Sequence, residues 1–358
     1  MLQLTPKQNR TRRWFYFIPS QGSPVKLAHR IEPDALEELP GETILYSGRL
    51  ELEEMLRKVV RSVEQVAMQY SPKNAVPYIS KVDAGTVELI KSFGVQVVSS
   101  GDLIQEVEAK LNDKQLKSHR EAAAFLFECV NEAFSFIRTS LKKKQSVSEL
   151  VVQEFLVNRF KRNRYISNYP PIVAVDAHTG NPHYAPAKKT NFTIKPGSLV
   201  LLDLWCKKNE KESTYADITW VGYVGEEIPP KIQEVFDIVR EARDKAIDFV
   251  RGRVLAGHPL FGYVIDDKAR HVITTRGYGE HFTHRTGHSI GDEVHWIGAN
   301  IDNFETEEHR RIIPKTCFSI EPGIYLKDFG IRSEVDVYVD ERHVEVNPPE
   351  LQDAIILI

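Results

Sequence analysis

The spacing of apolar residues changes character several times along this chain. Between residues 12 and 110, short apolar runs alternate with stretches of helical period. Trp14-Phe-Tyr-Phe-Ile18, closed by Pro19, and Thr43-Ile-Leu-Tyr46 have the aromatic and β-branched make-up of strands. Leu52, Leu56, Val59, Val60, Val63 and Val66 recur at close to helical intervals and predict a helix over residues 50–69. Further strands are expected at 76–79 and 95–98, on either side of a helix near 84–91. Such alternation points to a small α/β domain.

Residues 114–144 then read as one long helix. Phe125, Leu126, Val130, Phe134, Ile137 and Leu141 lie on one side, and Lys142-Lys-Lys144 sits where cations favour the helix dipole. Ser146-Val-Ser-Glu149 has capping-box spacing and predicts another helix through about Phe160. Beyond 165 the pattern turns to strands with turn signals. Turn-rich 191–197 leads into the apolar run 199–203, 207–213 makes a charged hairpin tip, and 215–221 pairs back. Val235, Phe236, Val239, Ala242, Ala246 and Val250 mark an amphipathic helix over 230–255.

Composition narrows the class without choosing a function. A chain of 358 residues has room for two domains, or for one large and one small. A net charge of −3 with mixed signs gives no reason to expect nucleic acid or a membrane surface as partner. No apolar run approaches the ~18 residues that cross a bilayer. The opening Met1-Leu-Gln-Leu-Thr-Pro-Lys7 is too polar for a signal peptide. Cys129, Cys206 and Cys317, odd in number and scattered, read as reduced core thiols of a cytoplasmic protein.

The chemistry lies in the C-terminal half. Asp203 ends the apolar run Leu199-Val-Leu-Leu202, where an uncompensated carboxylate is costly to bury. Asp217 lies on the returning strand of the same hairpin, where paired strands bring side chains to one face. His284-Arg-Thr-Gly-His288 holds two histidines with a glycine that permits close backbone approach, and His295 and His183 lie near in sequence or context. Glu321 precedes Pro-Gly just past a strand, and Glu334 falls in 331–338, a strand whose alternation puts Arg332, Glu334 and Asp336 on one face. A lone Asp at a strand end or a lone His is ordinary. Asp203, Asp217, His288, Glu321 and Glu334 together are oxygen-rich ligands suited to a pair of divalent ions, Mn2+ first, with Co2+ or Zn2+ as alternatives. A water shared by two such ions becomes a nucleophile near neutral pH, so the expected chemistry is hydrolysis.

The ordered set, within His-Arg-Thr-Gly-His-Ser-Ile-Gly, Ser-Ile-Glu-Pro-Gly-Ile-Tyr and Gly-Ile-Arg-Ser-Glu, resembles the pita-bread metallopeptidases. Within them it is most similar to the branch of Xaa-Pro aminopeptidases (aminopeptidase P) and Xaa-Pro dipeptidases (prolidases). The resemblance implies an α+β fold, with a pita-bread catalytic domain over 113–358 preceded by a shortened creatinase-type α/β domain over 1–112. It implies that Glu321 doubles as general base, and that His183 and His295 steady the carbonyl and tetrahedral intermediate or shuttle a proton. His284 would line the proline pocket, Tyr325 would stand near the metals, and Arg332 would orient a ligating carboxylate or the substrate. The implied substrates are peptides with proline second, and a homodimer is favoured.

Three features depart from the family pattern. The charged tip between Asp203 and Asp217 is longer than usual, Trp220 stands where Arg is usual, and Val335 stands where Asp or Asn is common. The expected activity is cleavage of an N-terminal Xaa-Pro bond. The alternatives are a prolidase, with Arg285 or Arg276 holding the dipeptide carboxylate, or a non-catalytic pita-bread binding protein. A creatinase-like amidinohydrolase or a methionine aminopeptidase fits the ligand set or the N-terminal domain less well.

Overall fold

The structure, a computed structural model, describes Leu4 and residues 10–358. The stretch read against a signal peptide lies, Leu4 apart, outside the described residues. The chain forms two compact units, Met1–Gly101 and Asp102–Ile358. No helix among the described residues is long and apolar enough to cross a membrane.

In the first unit β1 (Phe15–Phe17), β2 (Val25–His29) and β3 (Glu42–Tyr46) share a sheet, β1 antiparallel and β3 parallel to β2. α1 (Arg49–Val60), β4 (Gln65–Met68), α2 (Ala84–Lys91) and β5 (Gln96–Ser99) follow, with β4 and β5 parallel. The helix expected over 50–69 therefore stops at Val60, because Val66 is drawn into register with Val97. The strand expected at 76–79 is a 3-10 turn over Pro77–Ile79, since Pro77 has no N–H for a ladder. β2 escaped the pattern reading because Lys26 is buried there, its Nζ donating to Leu39 O at 2.9 Å.

The second unit begins within α3 (Gly101–Glu108), which α4 (Asp113–Lys142) follows. Gln105 Nε2 donates to Arg311 O at 2.9 Å, Trp296 Nε1 to Glu108 O at 2.8 Å and Leu111 N to Lys315 O at 2.7 Å. Those bonds tie α3 and the residues after it to the rest of the second unit. Asn112 and Gln115 form a reciprocal capping box at the start of α4. α5 (Glu149–Arg162) starts two residues later than the expected box, from Ser148, because Glu149 turns inward rather than back to the helix end.

Then come β6 (Tyr165–Ile166), β7 (Ile172–Val175), β8 (Leu199–Lys208), β9 (Ala216–Tyr223), α6 (Pro230–Leu255), β10 (Leu260–Phe261) and α7 (Gly262–Thr275). β11 (Ser289–Ile290), β12 (Arg311–Ile312), β13 (Thr316–Ile320), β14 (Gly323–Tyr325), β15 (Gly330–Arg332), β16 (Val335–Val339), β17 (Val344–Asn347) and β18 (Ile356–Leu357) complete the chain. One sheet runs β18-β9-β8-β6 with β7 also on β8, another β11-β13-β16-β17, and β14 pairs with β15. α7 has no counterpart in the pattern reading, since Asp266 interrupts its buried stripe Ile265, Ala269 and Ile273.

β8 and β9 are buried on both faces, and their two-residue period sorts the side chains. Val200, Leu202, Leu204 and Cys206 of β8, with Ala216, Ile218 and Trp220 of β9, join the apolar cluster under α4 and α5. On the opposite face Leu199, Leu201, Val221 and Tyr223 pack in the cluster of α6 and α7. Further along that same face the apolar residues give way to Asp203, Trp205, Asp217 and Thr219. The cysteines are free and buried, as expected.

Candidate metal centre

Antiparallel register places the first two carboxylates. Asp203 stands opposite Thr219 and Trp205 opposite Asp217, so the two aspartates are diagonal neighbours on one face. The longer tip does not disturb this register. Ser213 Oγ donates to Lys208 O and Glu210 O at 2.7 and 2.8 Å, and Thr214 N to Ser118 Oγ at 3.2 Å, which closes the tip on itself and on α4.

Glu334 does not lie in a continuous strand over 331–338. Ser333 and Glu334 break it into β15 and β16, which belong to different sheets. The break lets Glu334 N donate to Thr219 O at 3.3 Å while Thr219 Oγ1 donates to Glu334 Oε2 at 2.7 Å. Arg332 Nε donates to the same Thr219 oxygen at 3.0 Å, and another guanidinium N–H bonds Asp203 Oδ2. Asp336 ends up behind the site, its Oδ2 accepting from Asp217 N at 2.9 Å.

The remaining pair sits on loops. Gly287 lies so close to β13 that a Cβ there would meet Ser319 O at 2.0 Å, which explains the glycine between the two histidines. Ser319 Oγ accepts from His288 N at 3.0 Å and donates to Glu321 Oε1 at 3.1 Å, fixing both at once. Below the loop, buried Asp266 accepts from Thr286 N, Thr286 Oγ1 and Asn303 N at 3.0, 2.6 and 3.0 Å. Arg270, paired to Asp266 at 3.1 Å, donates to Phe282 O and His284 O at 3.0 and 2.8 Å. The sequence reading missed this clamp because its residues lie on the unrecognised helix α7.

All five candidate ligands line one cavity of about 540 Å3. Donor atoms of Asp217, His288 and Glu334 lie within 4.8 Å of one another, and His288 Nε2 is 3.2 Å from Glu321 Oε1. Burial pushes the carboxyls of Asp203, Asp217 and Glu334 up from their ordinary values, and that of Glu321 to about 7. Repulsion from neighbouring carboxylates adds to burial at Asp217 and Glu334, while Arg332 opposes it at Asp203 and Glu321. Asp217 Oδ1 is buried with no hydrogen-bond partner among the described residues. Four crowded carboxylates, one with that unpartnered buried oxygen, beside a buried imidazole are the donor set a divalent cation would satisfy. The residues fit a divalent metal ion.

The other expected residues line the same cavity or touch its wall. Tyr325 accepts from Arg332 at 3.2 Å and bonds His284 Nε2 at 2.7 Å, whose Nδ1 bonds Arg285 O at 2.6 Å. Burial drives His284 down to about 3 and Tyr325 up to about 12, so both are neutral near pH 7. The His295 ring stacks edge-on to His288 at 4.1 Å, and burial lowers it to about 4. Exposed His183 reaches the cavity on the loop after β7. That loop hangs on buried Glu149, which accepts from Val175 N, Phe192 N, His178 Nδ1 and Tyr184 OH at 2.7–2.9 Å. Arg285 lines the cavity; Arg276 instead pairs with Glu241 at 2.7 Å on the surface.

Comparison with known proteins agrees with this fold. An X-Pro aminopeptidase from Thermotoga maritima has the same fold, with TM-score 0.61 and 23% identity over 95% of this chain and 89% of that one. An uncharacterized peptidase of Staphylococcus saprophyticus is 29% identical over 71% of this chain and 67% of its own length. A Xaa-Pro dipeptidase of Lactobacillus delbrueckii is 31% identical over 62% of this chain, so the chain spans about half, 54%, of that relative. The pita-bread architecture expected from the sequence is the one found. The model of metallopeptidase family M24 matches residues 117–341, and the chain belongs to that family.

Proposed function

We propose that this metallopeptidase removes the residue preceding proline from the N-terminus of peptides, using two divalent ions, Mn2+ first among them. The observation that carries the reading is the buried cluster of Asp217, His288 and Glu334 on the cavity floor, with Glu321 and Asp203 beside it. The five side chains would hold the ions, which when bound supply Lewis acidity and lower the pKa of coordinated water.

The protein's own groups would do the rest. Glu321, whose carboxyl lies near neutrality, is suited to take the proton from the attacking water. His295 and His183 face the same space and would hydrogen-bond the carbonyl oxygen as negative charge develops there. Arg332 holds Asp203 and, through Tyr325, the neutral His284, which would pack against the proline ring. An Xaa-Pro bond lacks an N–H and restricts the preceding residue, so it needs a pocket of its own. Buried free cysteines suit the reducing cytoplasm.

The rival reading is a prolidase, for which Arg285 is the cavity-lining cation able to hold a dipeptide carboxylate. Protein loaded with Mn2+ or Co2+ and assayed on Xaa-Pro peptides tests the reading. Release of the N-terminal residue, with two ions per chain by elemental analysis, is expected; absence of cleavage on every such peptide overturns it.

A further inference from the structure

A second cavity of about 600 Å3 lies beside the first, outside the candidate metal centre. The segment Asn168-Tyr169-Pro170-Pro171 lines both cavities. Asn168 is fixed on the metal side, where its Oδ1 accepts from Trp205 Nε1 at 2.7 Å. Trp205 projects from the same strand face as Asp203 and Asp217. Tyr169, 70% exposed, stands at the junction with its ring bare.

The second cavity has an apolar floor and a cationic rim. Val157 and Ile166, each 39% exposed, line it together with buried Phe160. Lys161 and Arg164 are the charged residues that line it, with no acidic side chain among the described lining residues. Several other basic groups of this unit are paired: Arg332 with Asp203, Lys207 with Asp292, Lys208 with Glu121 and Arg159 with Glu132. Arg164 is carried out of α5 by a left-handed backbone (φ 62°), which directs the chain into β6 and leaves the guanidinium at the rim.

We propose that this groove is the downstream subsite: it takes the part of a peptide that follows proline, with apolar side chains on Val157, Ile166 and Tyr169 and a carboxylate on Lys161 and Arg164. The inference rests on the Xaa-Pro reading above and deepens it, since it makes oligopeptides with an acidic or free C-terminal end the substrate class, in preference to the dipeptide. Continuity with the metal cavity through one shared wall, and the charge of the rim, name the occupant. A proline ring and an extended chain leaving it suit a rim of Tyr, Trp and Pro side chains.

The test compares Ala-Pro with the pentapeptide Ala-Pro-Ala-Leu-Glu on the full Mn2+-loaded chain, as wild type and as the double variant Lys161→Glu, Arg164→Glu. Wild type is expected to prefer the pentapeptide. Charge reversal should lower kcat/KM on it by about fivefold more than on Ala-Pro at low salt, a margin that shrinks as salt rises. A C-terminally amidated Ala-Pro-Ala-Leu-Lys should reverse the ranking of the two proteins. Equal loss on both peptides, or no loss on the pentapeptide, overturns the subsite. Pentapeptide binding followed by fluorescence separates the two readings. If wild type binds but never cleaves, and charge reversal weakens binding, the peptidase reading fails and the groove stands. Binding indifferent to charge reversal sinks the groove whatever the activity.

Discussion

Asp203 and Asp217 reach the cavity through the register of a single hairpin, whereas His284 and His183 reach it on loops. On the floor, backbone pairing sets the side-chain direction, and an enlarged tip leaves the base unchanged. In the walls, direction comes from buried carboxylates well behind the cavity: Asp266 under the histidine loop and Glu149 under the loop that carries His183. Floor residues should therefore fail by losing their own chemistry. Wall residues should fail when a distant charge is removed.

The largest effect is expected on the floor. Asp217→Ala removes a carboxylate whose Oδ1 has no partner and whose neighbours are mostly carboxylates. Bound divalent ion should fall, and kcat/KM with it by ~10^3-fold or more. The unfolding midpoint of the metal-free variant should match or exceed that of the metal-free parent, because an unfavourable buried group is gone. A large loss of metal-free stability would show that Asp217 holds the hairpin together, and the contrast between floor and wall would weaken.

Asp266→Ala should act in the opposite way. It leaves Thr286 N, Asn303 N and the partly buried Arg270 without their acceptor, all at a distance from the reacting groups. A loss of about 3–5 kcal/mol in urea unfolding is expected from breaking such a pair, with weakened metal retention as the loop loosens. Unchanged stability would mean that the strand contacts of Gly287 alone hold the loop. Glu149→Gln is milder, since the amide keeps one acceptor oxygen for four donors. We expect about 1–3 kcal/mol, and a rise in KM larger than the fall in kcat, because the loop carries a peripheral histidine rather than a metal ligand.

The same division explains what could be read in the chain beforehand. Asp203 and Asp217 were legible because strand period and hairpin pairing are local rules, and His288, Glu321 and Glu334 because each sits in a recognisable motif. The continuous strand expected over 331–338 was wrong for a tertiary reason. Glu334 pairs with Thr219 more than a hundred residues away, and no local pattern signals that the chain must break at Ser333 to reach it. Asp266 and Glu149 were invisible on similar grounds. An acidic residue on a helix reads as solvent-facing until the fold buries it, and for Glu149 capping-box spacing pointed to the wrong partner. The helix expected through residue 69 failed because Val66 fits a helical stripe and a strand equally well.

The smallest effect should come from a carboxylate of the same type placed at the surface. Glu345 on β17 accepts two bonds from Arg120 of α4, at 2.7 and 2.5 Å, with His343 Nε2 also 3.8 Å away. Unlike Asp266, it keeps water within reach, so Glu345→Gln should cost less than about 1 kcal/mol. The bonds from Arg120 hold its carboxyl below the ordinary range. A folded pKa below the unfolded one adds stability above about pH 4 and loses it as pH falls further through the folded value. Urea unfolding of parent and variant in steps from pH 6 downward should show a small gap that closes in that window. A gap that persists in acid would mean that Glu345 works through packing. A gap as large as that of Asp266→Ala would mean that burial is not what separates the two carboxylates.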